Sequence, residues 1–202
     1  MATYLDGQSV ALGGDTLGAV IDAACDQLDA GGRIIVEVEV NGLTLVGDEL
    51  TAARAESVAE KEVRLVSAVP QELAVDALQL ASQRLNDARS SQGEAADLLQ
   101  QDQSQPAFSK IGEAVTAWQQ TQMAVLSSSQ LLGLNLDEQL LDNEPVSETV
   151  NALIKQLREL HELLLAADTV ALADALAYEW PETIDRWQQL INQMIQWVEK
   201  SR

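Results

Sequence analysis

One cysteine and one histidine are all that these 202 residues offer to the side-chain chemistry of thiols, imidazoles and zinc. A structural or catalytic zinc ion draws on several Cys and His ligands, so one of each is too few. A lone Cys25 forms no internal disulfide, which fits a reducing compartment. It lies four residues after Ile21 and three before Leu28. That spacing predicts a place near the buried face of a helix, where a thiol acts as a small hydrophobe. A serine or cysteine nucleophile needs a base, most often histidine. The only histidine, His161, falls between Leu157 and Leu164 on a helical stripe and reads as structural. Gly13-Gly14-Asp15-Thr16 precedes a helix but carries no lysine, so it reads as a turn and not as a phosphate loop.

Basic side chains are also scarce. Twelve Lys and Arg stand against 32 Asp and Glu, for a net charge of -20. The acidity is spread along the chain, with -8 in residues 1–70 and -12 in residues 71–202. Binding to nucleic acid or anionic lipid needs cations that displace counterions, so both are excluded as expected partners. No apolar run approaches the roughly 18 residues of a membrane span. The opening Met1-Ala2-Thr3-Tyr4-Leu5-Asp6 has neither the basic nor the apolar region of a signal peptide. A cytoplasmic location is the expectation. The carboxylates Asp137, Glu138, Asp142 and Glu144 lack the alternate spacing and central glycine of an EF-hand loop, and read as a solvated acidic loop. With so many carboxylates none is marked out for acid–base work. The expectation is a protein that is not an enzyme and that uses no metal and no cofactor.

The pattern that is present falls into two parts. In residues 1–70, Asp6-Gly7 and Asn41-Gly42 are hairpin dipeptides that tolerate positive φ. A two-residue loop at 41–42 pairs Val40 with Leu43 and Val38 with Leu45, placing four apolar side chains on one face. Between the hairpins Asp15 is positioned to cap a helix bearing Leu17, Val20, Ile21, Ala24 and Leu28, which Gly31-Gly32 ends. Val63 to Val69 reads as a further strand. Hairpin, helix, then more strands resembles the order of β-grasp domains, the group that includes ubiquitin-like modules. That resemblance implies a small α+β head. The paired C-terminal glycines of conjugated ubiquitin-like proteins are missing, so conjugation is not implied.

Residues 71–202 read as helix throughout. The first segment covers about 71–100, with Leu73, Ala77, Leu80, Ala81, Leu85, Ala88, Ala95 and Leu98 as its stripe. Pro106 is expected at the first position of the next, which carries Phe108, Ile111, Val115, Trp118 and Leu126 and fades at Gly133. The stretch 133–145 reads as a loop. Pro145 opens a third helix through Val146, Val150, Leu153, Ile154, Leu157, Leu160 and Leu164. Asp168 is positioned to cap a piece over 169–179, and Pro181 begins or kinks the last helix. Long helices with short connections predict an antiparallel bundle. The fold class is therefore α+β: a β-grasp-like domain at 1–70 and an all-α bundle at 71–202.

Aromatic residues are rare, yet Trp180, Trp187 and Trp197 all lie in the last 23 residues. Trp187 shares the stripe of Ile184, Ile191, Met194 and Val198 and is assigned to the core. Trp180 and Trp197 are candidate docking side chains, with Tyr178 and Met194 beside them. The function expected is an acidic adaptor that docks another protein, such as a helical segment, or a second copy as a homodimer. The alternative is a secretion or flagellar-export chaperone, a class the small, acidic, largely helical chain resembles in style. The strand-rich head departs from the purely helical flagellar type.

Overall fold

The computed structural model describes residues 2–200. The chain is α+β and divides into two compact units, the first ending at Leu73 and the second beginning at Ala74.

The first unit opens with β1 (Ala2–Leu5) and β2 (Gln8–Ser9), followed by helix α1 (Leu17–Asp29). Strands β3 (Ile34–Val40) and β4 (Leu43–Thr44), helix α2 (Gly47–Ala53) and strand β5 (Glu62–Ala68) complete it. The sheet order is β2-β1-β5-β3-β4, with β1 and β5 parallel in its middle and the other pairs antiparallel. Both edge strands are two residues long, which leaves little unpaired backbone for edge-to-edge association. Strand β5 alternates, with Val63, Leu65 and Ser67 buried and Arg64 and Val66 outside. Val63 and Leu65 share one apolar core with Leu5, Val38 and the stripe Leu17, Val20, Ile21, Ala24 and Leu28 of α1.

Both expected hairpins form. Asp6-Gly7 and Asn41-Gly42 have positive φ throughout, so Leu5 pairs with Gln8 and Val40 with Leu43. The shared apolar face is only partly realised. Val38 is buried and Val40 and Leu45 are half-buried, but Leu43 is 64% exposed. It stands on the edge strand, with a neighbour on one side only. Thr16, not Asp15, caps α1: its hydroxyl accepts from the Ala19 N–H at 3.3 Å. Periodicity assigns nothing to 46–62, yet the seven-residue α2 forms there, with Asp48 and Glu49 in its first turn favouring the helix dipole. A polar cluster ties the first turn to the end of β5. The Asp6 carboxylate accepts from the Ser67 N–H and hydroxyl at 2.7 Å each, and Arg33 donates to the Ser67 hydroxyl and carbonyl oxygens at 2.8 Å.

The second unit contains most of α3 (Pro70–Gln100), then α4 (Ser104–Leu131), a small hairpin of β6 (Leu140–Leu141) and β7 (Glu144–Pro145), and α5 (Val146–Ala166). Helix α6 (Thr169–Asp174) runs through a π-helical stretch, Ala175–Glu179, into α7 (Trp180–Lys200). Side-chain bonds fix the directions. Thr121 reaches the Ala81 carbonyl, Ser91 bonds Glu113, and Lys110 pairs with Glu94, so α4 runs antiparallel to α3. Gln188 bonds Ser82 and Asp185 pairs with Arg89, so α7 also opposes α3. Arg186 bonds Thr149 and Thr183 bonds Gln156, which sets α7 antiparallel to α5. The result is an antiparallel helical bundle.

Burial along α3 follows Ala74, Leu78, Ala81, Leu85, Ala88, Gln92, Ala95 and Leu99, and along α4 Ala107, Ile111, Ala114, Trp118, Thr121, Val125 and Ser128. Steps of four and three alternate without a break, the heptad seam of helices that pack side by side. The expected stripes meet this line in part, at Ala81, Leu85, Ala88 and Ala95 of α3 and at Ile111 and Trp118 of α4. Leu80, Phe108 and Leu126 fall off it and are exposed, because weighting large apolar residues pulls the stripe away from a seam rich in small ones. On α5, Val146, Val150, Leu153 and Leu160 are buried as expected and Ile154 is exposed. Pro106 occupies the third position of α4, not the first. Asp168 caps α6 as expected, accepting from the Ala171 N–H at 3.0 Å. The π turn precedes Pro181, whose missing N–H and bulky ring an α-helical turn accommodates poorly.

Candidate functional site

Three of the four tryptophans meet in the core of the helical unit. Trp118 of α4 lies 5.6 Å from Trp180 and 5.7 Å from Trp187 between ring centroids, the second contact edge-to-face. All three are buried in the bundle core, Trp180 to 1% and Trp187 to 0% exposure. Met194 is buried with them at 0%. Trp180 and Met194 are therefore not surface anchors: Trp180 is the first residue of α7, and both lie on its buried stripe with Ile184, Trp187, Ile191 and Val198. Trp197 is half-buried and packs against the same core. Tyr178, on the π turn, is 75% exposed. Trp118, expected on the α4 stripe and buried there, joins this cluster from 62 positions before Trp180, a pairing the sequence analysis did not draw. Its heptad position was the available signal.

Beside Trp187 the bundle surface is concave. A groove of about 540 Å³ runs between α5 and α7, bordered by Tyr178 and Glu179 of the π turn. From α5 come Glu148, Thr149, Ala152 and Gln156, and from α7 Glu182, Thr183, Arg186 and Trp187. These spacings repeat at three and four residues, so each set lies on one helix face. Glu144 of β7 closes one end. Two polar links cross the floor: Thr183 donates to Gln156 at 2.6 Å, and Arg186 Nε to the Thr149 hydroxyl at 3.1 Å. Arg186 also pairs with Glu144. The groove thus carries four carboxylates against one guanidinium.

The other candidates weigh less. In the first unit an apolar groove of about 410 Å³ separates the β3–β4 hairpin from α2, lined by Val40, Leu43, Leu45 and Ala52 among others. Cys25 is exposed, not buried as its spacing predicted. It sits where α1 turns from core to solvent, beside a shallow groove with Ile21, Ile34 and Leu50. Desolvation, then the Asp22 carboxylate, pushes its thiol up from the ordinary value, which disfavours the nucleophilic thiolate. His161 is exposed on α5. Within 133–145, Asp142 and Asn143 both have positive φ and form the turn of the β6–β7 hairpin, an Asp-Asn turn that read only as loop. Among the described residues no three of His, Cys, Asp and Glu are grouped to hold a metal ion, and no helix is long and apolar enough to cross a membrane.

Compared with known protein families, with curated proteins and with solved structures, the chain matches none.

Proposed function

We propose that this chain is a non-enzymatic, acidic interaction protein of the cytoplasm that docks a partner protein through its helical unit. The observation that carries the reading is the α5–α7 groove with Tyr178 exposed at its rim. An exposed aromatic beside a concave, polar surface is the arrangement of an interface anchor within a wet rim. Tyr178 of the π turn thus remains the side chain through which docking is assigned, with Trp197 near the C-terminal end of α7 as a secondary contact. The head is proposed as a β-grasp module. The order β2-β1-β5-β3-β4 with parallel central strands, one long helix on the shared core and a short second helix before β5 supports that assignment.

The test is photo-crosslinking in cells. A photoreactive amino acid replaces Tyr178 in one variant and Asp97, an exposed residue of α3 outside the groove, in another. The expected outcome is one discrete adduct from position 178 and none from 97. The same diffuse ladder from both positions overturns the proposal.

A further inference from the structure

We infer that the α5–α7 groove accepts a basic segment of the partner, with an arginine side chain seated against Tyr178 between Glu148, Glu179 and Glu182. The inference rests on the docking role proposed above and adds the chemistry of the occupant. Of the four groove carboxylates, Glu144 is already taken by Arg186. The other three have no ion pair or hydrogen bond among the described residues. The chain has few cations left to give them. At least nine of its 12 Lys and Arg side chains are engaged in ion pairs elsewhere or with Glu144. The three are exposed, unpaired among the described residues and on the lining of one groove, so a cationic segment lying in it meets all three.

The lining argues for a peptide over a small ligand. Small-molecule sites are mostly apolar and enclose the ligand. Here eight of the 11 lining residues are Glu, Thr, Gln or Arg, and the rim is exposed. One exposed aromatic ring completes the site. Tyr178 offers an open face to a guanidinium, which stacks on aromatics better than an ammonium. Trp187 borders the groove but is fully buried, so it contributes to the wall and not to the contact. A peptide with arginine brings a planar guanidinium to that ring, whereas a polyamine brings ammonium groups only.

The test measures fluorescence anisotropy of a fluorescein-labelled peptide of Arg, Ala and Leu with the full chain in about 0.15 M salt, above the ionic strength at which long-range fields dominate. Glu148→Gln, Glu179→Gln and Glu182→Gln together are expected to weaken binding about tenfold. Asp76→Asn, Asp97→Asn and Glu199→Gln together remove the same charge outside the groove, and are expected to change affinity by less than about twofold. Equal weakening by both triple variants overturns the inference in favour of a diffuse field. So does displacement of the peptide by spermidine at matched charge concentration. A version with Gln in place of each Arg that binds as tightly sinks the charge chemistry while leaving groove docking intact. If neither peptide binds, the inference falls. The crosslink from position 178 then decides whether the docking role falls with it.

Discussion

At the scale of single residues, burial separates the tryptophans that spacing alone left together. Trp187 is enclosed on every side and meets Trp118 edge-to-face, so Trp187→Ala removes a whole ring from a packed core. The expected cost is about 3–5 kcal/mol, read by far-UV circular dichroism in a denaturant series. Trp197→Ala, at a half-buried position, is expected to cost less than half as much. Equal losses would contradict this division. Asp6 gives a second residue-level expectation. The Ser67 hydroxyl, then the Ser67 N–H and the Arg33 charge, hold its carboxyl below the usual carboxylate value. A depressed folded value means that the contribution is present above the unfolded value, near pH 4, and lost as pH falls through the folded one. Hydrogen exchange at the Ser67 amide should therefore accelerate as pH drops below about 4, beyond the intrinsic trend. Asp6→Asn keeps an oxygen to accept from the Ser67 N–H but no titrating group, so the acceleration below about pH 4 should be absent.

At the scale of elements, what could be read depended on how many residues carried each signal. The Asn41-Gly42 hairpin was legible because turn chemistry and alternation agreed over eight positions, and α1 because five apolar residues shared one face. Helix α2 has too few residues for a period to emerge, and its main cues are two acids in the first turn. The β6–β7 hairpin turns on Asp142-Asn143, a pair that takes positive φ less freely than Asn-Gly. The seam of α3 was legible at Ala81, Leu85, Ala88 and Ala95, and lost where the small Ala74 and the polar Gln92 take core positions beside larger apolar neighbours such as Leu73. The groove itself was not legible: its acids look like any solvated face until α5 and α7 are placed side by side. Glycine yields the test at this scale. Gly14 has φ near 138°, and a Cβ there would stand 2.7 Å from the Ala19 Cβ, at the start of α1. Gly14→Ala is expected to destabilise the head by about 1–3 kcal/mol. Amide exchange across β1, β3 and β5 should report it. Tryptophan emission should not, because all four tryptophans belong to the second unit.

At the scale of the whole molecule, charge is the dominant fact. Among the described residues at least 11 carboxylates sit in ion pairs, and the chain's 32 carboxylates outnumber its 12 Lys and Arg by 20. Two opposing effects then respond to salt. Screening weakens the ion pairs, but exposed pairs contribute only about 0–1 kcal/mol each, and many contribute nothing measurable. Screening also weakens repulsion among the unpaired carboxylates, which acts between all of them. The screening length is about 30 Å at 0.01 M salt, long enough to span a small domain, and about 10 Å at 0.1 M. Repulsion therefore loses more than attraction as salt is added. Residues 71–202 alone carry -12, so the effect is expected in the helical unit, where the tryptophans report it. The midpoint of thermal unfolding followed by tryptophan emission should rise by several degrees between about 0.01 and 0.5 M sodium chloride, most of it below about 0.1 M. A midpoint that falls over that range would mean that the bridges from α7 to α3 and to β7, Arg89–Asp185 and Arg186–Glu144, outweigh the net field.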